Sequence, residues 1–455
     1  MEVSGNPDHK KGLAMRASVN QSAKSPWLFV PTQAFLQGIP QVMVMTVSAI
    51  LLKSLGAGND IIGLSSLMML PLSFLFLWGP VVDGISTKRR WILLMGCVMA
   101  GLMLATGLTL DRFAHPVVPV IWMLGLLGLA TGWNDVPNNG FYLLALDAKQ
   151  QAFFSGFRTA SVRLAVILCT GVLVALAGKW GEATNPAHGW ARVFYLLAAI
   201  TFLLTAYHAV VLPRPGKDRP QNVKKGGWGN YYLEALRAFF RLPGAWVVMT
   251  FALTYRLGES LLVRMIAPFL MDAPEAGGIG LSTQQLGVMY GTFGMIASTL
   301  GGIVGGILLS RVALRRVMLP FGVLMTASHV AYVLLAWLQP AGLQTLHFQM
   351  FGAEIAWSIN GWVQVAIIFE SFCYGFGSAA FFYYLCIYSA QSQYAASTYA
   401  LAMAFMGLGW SIPAMFSGLL QQAVGYTWLF ILTIPAALPG LFAILYLKYP
   451  DTSVK

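Results

Sequence analysis

The side chains of this chain that could do chemistry are the few ionisable ones that interrupt its apolar runs: Asp135, Arg158, Arg163, Arg256, Glu259, Arg264 and Glu370. A charge at the centre of a bilayer costs about 2.5–3.5 kcal/mol at least, so each must face protein or a water-filled path. An acid so placed can take up and release a proton, with an affinity that responds to burial and to an approaching arginine. An arginine can hold a carboxylate through charge-assisted hydrogen bonds. Proton carriage and anion binding are therefore the chemistry these residue types offer.

The densest group lies in 130–163. Trp133, Asn134, Asp135, Asn138 and Asn139 sit in one apolar run that Pro137 interrupts, and Tyr142 follows a turn later. Pro137 removes a backbone donor, which is tolerated inside a membrane only beside a cavity or a polar neighbour. After the polar turn at Asp147–Gln151, the next run brings in Arg158 and Arg163. At 1.5 Å per residue, Asp135 lies about 18 Å from the turn, and Arg158 and Arg163 about 13 and 21 Å, so the arginines bracket the acid in depth. Asp135 and Asn139 share a helix face. The group reads as a proton or substrate site; the structural alternative is an ion pair that only ties two helices together.

Further along, Arg256 and Glu259 are spaced to pair on one helix. Glu370 lies at a similar depth, about 28 Å from Ser389, and reads as a proton carrier, a substrate contact or a structural bond. Arg264, near the edge of its run, is expected to snorkel. Trp133, Tyr142, Tyr255, Tyr290 and Trp410 lie near these polar spots and could stack on sugar rings. His208 and His329 stand singly, without metal-ligand spacing, and read as packed side chains. The four cysteines (Cys97, Cys169, Cys373, Cys386) all fall in apolar runs and read as buried free thiols. No metal site and no cofactor motif is expected.

The elements that must position these residues follow from composition. The 455 residues are 57% hydrophobic and only 10% charged, far below the ~25% of soluble domains. Apolar windows of spanning length fall at 28–52, 60–82, 91–110, 117–146, 151–178 and 190–212, then at 244–271, 283–309, 316–338, 362–388, 394–421 and 425–447. This predicts an all-α integral membrane protein of twelve helices in two six-helix bundles. Its divisions are an N-terminal arm (1–26), a first bundle (27–212), a basic linker (213–242), a second bundle (243–448) and a tail (449–455). The part-polar stretch 339–361 reads as a loop with a short interfacial helix. The first 26 residues lack the apolar core of a secretory signal.

With the N-terminus inside, cytoplasmic segments hold 20 Lys and Arg and the opposite side four, namely Lys53, Arg112, Lys179 and Arg192. That bias predicts a multi-pass inner-membrane protein with both termini cytoplasmic. It also accounts for the net charge of +12 without nucleic acid.

The halves echo each other: Gly79–Asp83 with Lys88, Arg89 and Arg90 is matched by Gly305–Gly306 with Arg311, Arg315 and Arg316, at an offset of about 225 residues, as in a parallel repeat. The first of these loops resembles the signature of the major facilitator superfamily. The resemblance implies an inner gate formed by Gly79, Asp83, Arg89 and Arg90. Phe35–Pro40, Phe76–Pro80, Tyr255–Glu259 and Phe369–Phe381, with Asp135, Gly140–Leu146, Gln151 and Arg163, resemble the AmpG-like branch over about 28–447. That branch carries muropeptides, and relatives carry acetyl-CoA or siderophores. The resemblance implies a proton symporter, working as a monomer by alternating access, that imports an anionic sugar-type solute. Proton coupling would fall to Asp135, Glu259 and Glu370. Cargo would be bound by Trp133, Asn134, Asn138, Asn139, Tyr142, Arg158, Arg163, Tyr255, Arg256, Tyr290 and Trp410. A siderophore or metal-chelate importer is the alternative; a membrane-embedded transferase comes third, because the long internal loop is basic and its only acids are Asp218 and Glu234. The chain departs from the branch at Asn139, where a second acid often stands, and it has no room for the two extra helices of some muropeptide permeases.

Overall fold

The structure, a computed structural model, describes residues 25–74, 82, 85–182, 184–216, 218, 227–340, 344–350, 353–392 and 395–449. Gly79 and Asp83, most of the N-terminal arm, the middle of the linker and the end of the tail lie outside the described residues. Nine helices among the described residues are long and apolar enough to cross a membrane. The first half contains α1 (Pro26–Ser54), α2 (59–73 as described), α3 (Lys88–Arg112), α4 (Val117–Ala145), α5 (Lys149–Glu182) and α6 (Pro186–Val211). The second half contains α7 (245–271), α8 (Thr283–Arg311), α9 (Leu314–Leu338), α10 (Gly361–Ser389), α11 (395–424) and α12 (426–446). The last two are continuous except at Gly425, whose φ of 78° breaks the helix. The chain thus has the twelve predicted helices in two bundles.

Polar residues fix where helices begin. Asp147 and Gln150 form a reciprocal capping box between α4 and α5, and Ser282 with Gln285 does the same for α8. Asn185 and Asn360 cap α6 and α10. The stretch after α9 departs from expectation. It forms an antiparallel hairpin, β1 (Gln344–Met350) and β2 (Ala353–Ile359), and not an interfacial helix. Leu346, Phe348 and Met350 alternate with polar residues, a period of two that suits a strand. The linker also carries a helix, Gly227–Arg241, whose Phe239 packs on Tyr388 and Phe405 of the second half.

Three of the described helices carry a π-helical segment inside the membrane. Met43–Val47 in α1, Leu168–Leu173 in α5 and Gly287–Gly294 in α8 are π-helical. Such bulges free backbone oxygens and gather at functional positions. The latter two meet where the halves touch: Thr170 Oγ1 donates to the Gly291 carbonyl at 2.9 Å. A Cβ on Gly291 would overlap the Thr170 carbonyl, and one on Gly418 of α11 would overlap that of Asn59 in α2. Glycine lets α5 meet α8, and α2 meet α11, backbone to backbone.

Candidate translocation site

A cavity of about 590 Å³ lies between the bundles. Gln41, Tyr142, Arg158 and Arg163 line it from the first half, and Tyr290, Glu370, Tyr374 and Trp410 from the second. Its size falls in the ~300–1,000 Å³ range of small-molecule sites.

On the first-half wall the polar groups form one chain. Gln37 Nε2 donates to Asp135 Oδ1 at 2.6 Å, while Arg158 Nη2 donates to Gln37 Oε1 at 3.3 Å and also to Asn139 Oδ1. The Arg158 guanidinium sits 5.1 Å over the Tyr142 ring. Asp135 is buried behind this layer and reaches the cavity through Gln37 and Arg158. Arg163 faces the cavity with no hydrogen-bonded partner among the described residues. Asn138 bonds inward, donating to the Asn134 carbonyl at 2.7 Å and accepting from Gln33 Nε2 at 2.6 Å. Trp133 packs 5.3 Å from Trp91 of α3, away from the cavity.

The second-half wall differs from what the sequence suggests. Arg256 and Glu259 do not pair, because α7 breaks at Tyr255–Arg256 and the i,i+3 register is lost. Arg256 instead lies 4.4 Å over Trp410 and 5.0 Å over Tyr374, to whose hydroxyl it donates. Glu259 Oε2 bonds His329 Nε2 at 2.9 Å, with both side chains no more than 1% exposed. His329 Nδ1 lies 3.0 Å from Thr433 Oγ1, which gives its own proton to the Phe430 carbonyl at 2.7 Å. Nδ1 must therefore carry hydrogen, and the His329–Glu259 bond then holds one further proton, on either partner. Glu370 lines the cavity, accepts from Ser371 Oγ at 3.3 Å, and lies close enough to Glu259 for the two carboxyls to interact electrostatically. Glu370, Glu259 and His329 so connect the cavity to the interior of the second half.

Tyr255 leaves the site altogether: it stacks on Phe381 at 5.1 Å in the second-half core, with its hydroxyl on the Gly377 carbonyl. Arg264 does not snorkel. It is 4% exposed and bonds to α1 and α2 across the halves. Of the cysteines, Cys97 and Cys386 are exposed and only Cys169 and Cys373 are buried, all four as free thiols.

The halves join on the face that carries the 55–58, 272–282 and 422–425 turns. There Lys53 Nζ meets Asp272 Oδ1 at 2.5 Å and Asn59 Oδ1 at 2.9 Å. Tyr426 donates to Asp272 Oδ2 at 2.5 Å, and Asn59 Nδ2 donates to Gln421 Oε1 at 2.8 Å. On the opposite, basic face Arg89 stays within its own half, donating to the Leu212 and Ala209 carbonyls at the end of α6. Asp218 of the linker caps α3 there, accepting from the Lys88 and Arg89 amides at 2.8 and 3.1 Å, and Arg90 is exposed. Two sets of residues were missed in the sequence. Gln33, Gln37 and Gln41 recur every four residues, a polar stripe on one face of an apolar helix. His329 gave no local signal, because its partners come from α7 and α12.

A bundle pair of this form around a polar cavity defines a membrane transporter of small solutes. Residues 32–392 match the Major Facilitator Superfamily, and the chain belongs to it. The anhydromuropeptide permease of Escherichia coli is 26% identical over 429 residues, covering 90% of this chain and 77% of that protein. The putative transporter AmpG 4 of Rickettsia conorii is 22% identical over 427 residues, covering 91% and 94%. Among solved structures, a bacterial homolog of the human lysosomal transporter Spinster, in an inward-facing, unoccupied conformation, matches with a TM-score of 0.61 at 16% identity, covering 94% of this chain and 95% of that one.

Proposed function

We propose that the chain is a proton-coupled importer of an anionic sugar-type solute of the anhydro-muropeptide class, working by alternating access in the inner membrane. The observation that carries this is the chemistry of the two cavity walls. Arg158 and Arg163 offer cationic hydrogen-bond donors on one side, and Tyr290, Tyr374 and Trp410 offer aromatic faces on the other. A ring-bearing carboxylate satisfies both at once. The likeness to a permease named for anhydromuropeptides supports the cargo class.

The proton enters through the acids. Glu370 meets the cavity, with Glu259 and His329 behind it, so a proton taken from the cavity can be held on this group and returned to the cavity without crossing lipid. Asp135 serves the first half through Gln37 and Arg158. Lysine and arginine bias places the basic face, with both termini and the 213–242 linker, in the cytoplasm. The closed face is then periplasmic and the cavity opens inward.

Uptake of labelled anhydro-muramyl disaccharide into energised inner-membrane vesicles, with and without a protonophore, tests this. Uptake that collapses with the protonophore is expected. Equal uptake in both conditions removes proton coupling, and no uptake in either removes the muropeptide class and turns the search to iron chelates.

A further inference from the structure

Arg264 of α7 is a buried cation whose partners are all neutral. Its Nε donates to the Ile62 carbonyl at 2.9 Å; Nη1 reaches the Met45 carbonyl at 3.4 Å and Ser48 Oγ at 3.3 Å; Nη2 donates to Ser65 Oγ. Every acceptor comes from the first half, while Arg264 belongs to the second. Ser48 and Ser65 give their protons to the Val44 and Ile62 carbonyls, at 2.6 and 2.7 Å, which leaves their oxygens to accept from the guanidinium. The Met45 carbonyl lies in the π-helical segment of α1, and Ile62 precedes the 3-10 turn Ser65–Met69 of α2. Local helix distortion thus presents oxygen atoms where the cation docks. No acid pairs with it among the described residues, and a buried guanidinium without a counter-charge is costly. It also lines a small void of about 20 Å³ that shares Met45, Thr46, Val263, Tyr290 and Trp410 with the central cavity.

We propose that Arg264 is an anion site with two alternating sets of acceptors: the neutral oxygens of α1 and α2 when this face is closed, and a carboxylate of the incoming solute when it is open. The inference rests on the alternating-access reading and assigns the residue that receives the anion on the closed face. Parting the halves here removes all four acceptors together, because none belongs to Arg264's own half. The guanidinium then faces the opened space with its donors unfilled, and a carboxylate supplies both acceptors and counter-charge. Arg158 and Arg163 sit on the other wall, so the anion can pass from one cation to the next as the halves rock.

The test reads conformation directly. Spin labels replace Glu182 and Glu275, exposed residues near the closed face in opposite halves, on a background with Cys97 and Cys386 changed to Ser. Distances are measured by double electron–electron resonance with N-acetylmuramate or the neutral N-acetylglucosamine as probe. N-acetylmuramate is expected to enrich the long-distance, open population of the wild-type protein, and N-acetylglucosamine is not. Arg264→Gln is expected to raise the open fraction about tenfold or more, given hydrogen bonds to a charged group, and to abolish the response to N-acetylmuramate. Ser48→Ala with Ser65→Ala removes two acceptors but keeps the cation; it is expected to open the face and retain the response. Arg264→Lys keeps the charge and guards against misfolding, and should keep part of the response. An Arg264→Gln protein that still responds to N-acetylmuramate, an unchanged open fraction, or a wild-type response equal for both probes would overturn the proposal. Failure of the vesicle uptake assay would instead count against the cargo and coupling, since it does not measure this face.

Discussion

Asp135 and His329 illustrate two ways a buried group can be read. Asp135 stands next to asparagines and a proline, and its oddness in an apolar run is visible in the chain. Asp135→Asn keeps an acceptor for Gln37 Nε2, so the protein should fold and bind solute. Concentrative uptake should fall about 10²-fold, the usual lower bound for losing an acid–base group, when accumulation is compared with wild type in energised vesicles. His329 looked like a packed histidine because its role depends on Glu259 and Thr433, 70 and 104 residues away. His329→Leu leaves the Glu259 carboxyl buried without its partner, which costs about 3–5 kcal/mol. Thermal unfolding in detergent should show that loss, and the double change with Glu259→Leu should recover part of it. His329→Gln should spare solute exchange while uphill uptake fails. Loss of both would make His329 merely structural.

At the scale of elements, helix positions were legible because hydrophobic run length is set by bilayer thickness alone. Interruptions within helices were not. The break at Tyr255–Arg256 separates Arg256 from Glu259 and turns Tyr255 into the core, and nothing in Tyr-Arg-Leu-Gly-Glu marks it, since tertiary partners hold it open. The hairpin at 344–359 is hard to read for another reason: its two-residue alternation is short and sits in a part-polar stretch between two spanning helices, where a loop is equally compatible with the composition. The glycine contacts make a prediction at this scale. Gly291→Val or Gly418→Val should oppose closure of the face they hold by about 1–3 kcal/mol, as overpacking does. A cysteine at Thr46, which lines both voids, should then react faster with an impermeant maleimide added from that side. Unchanged labelling would mean that the halves tolerate the added methyls without parting.

For the whole molecule, two bundles with a shared cavity could be foreseen from the repeat and from the placement of lysine and arginine. The closed face could not, because Lys53 and Asp272 are 219 residues apart and their pairing exists only in the folded pair of bundles. In the proposed orientation that face is outside. Glu275→Cys should therefore label with impermeant maleimide in intact cells, whereas a cysteine replacing Arg316 should label only after permeabilisation. The reverse pattern would invert the orientation.

The π-helical segments in α1, α5 and α8 have a consequence for how this chain can change length. A π turn holds one residue more than an α turn over the same rise, so each segment is a stored insertion. Removing one residue there restores an ordinary helix and leaves the face beyond it pointing close to its original direction. At most positions in a spanning helix a one-residue deletion turns an apolar face toward polar neighbours. At Met43–Val47, Leu168–Leu173 and Gly287–Gly294 the same deletion is a change the helix can absorb. These three segments are places where descendants of this protein can lose a single codon and keep the walls of the cavity aimed as they are.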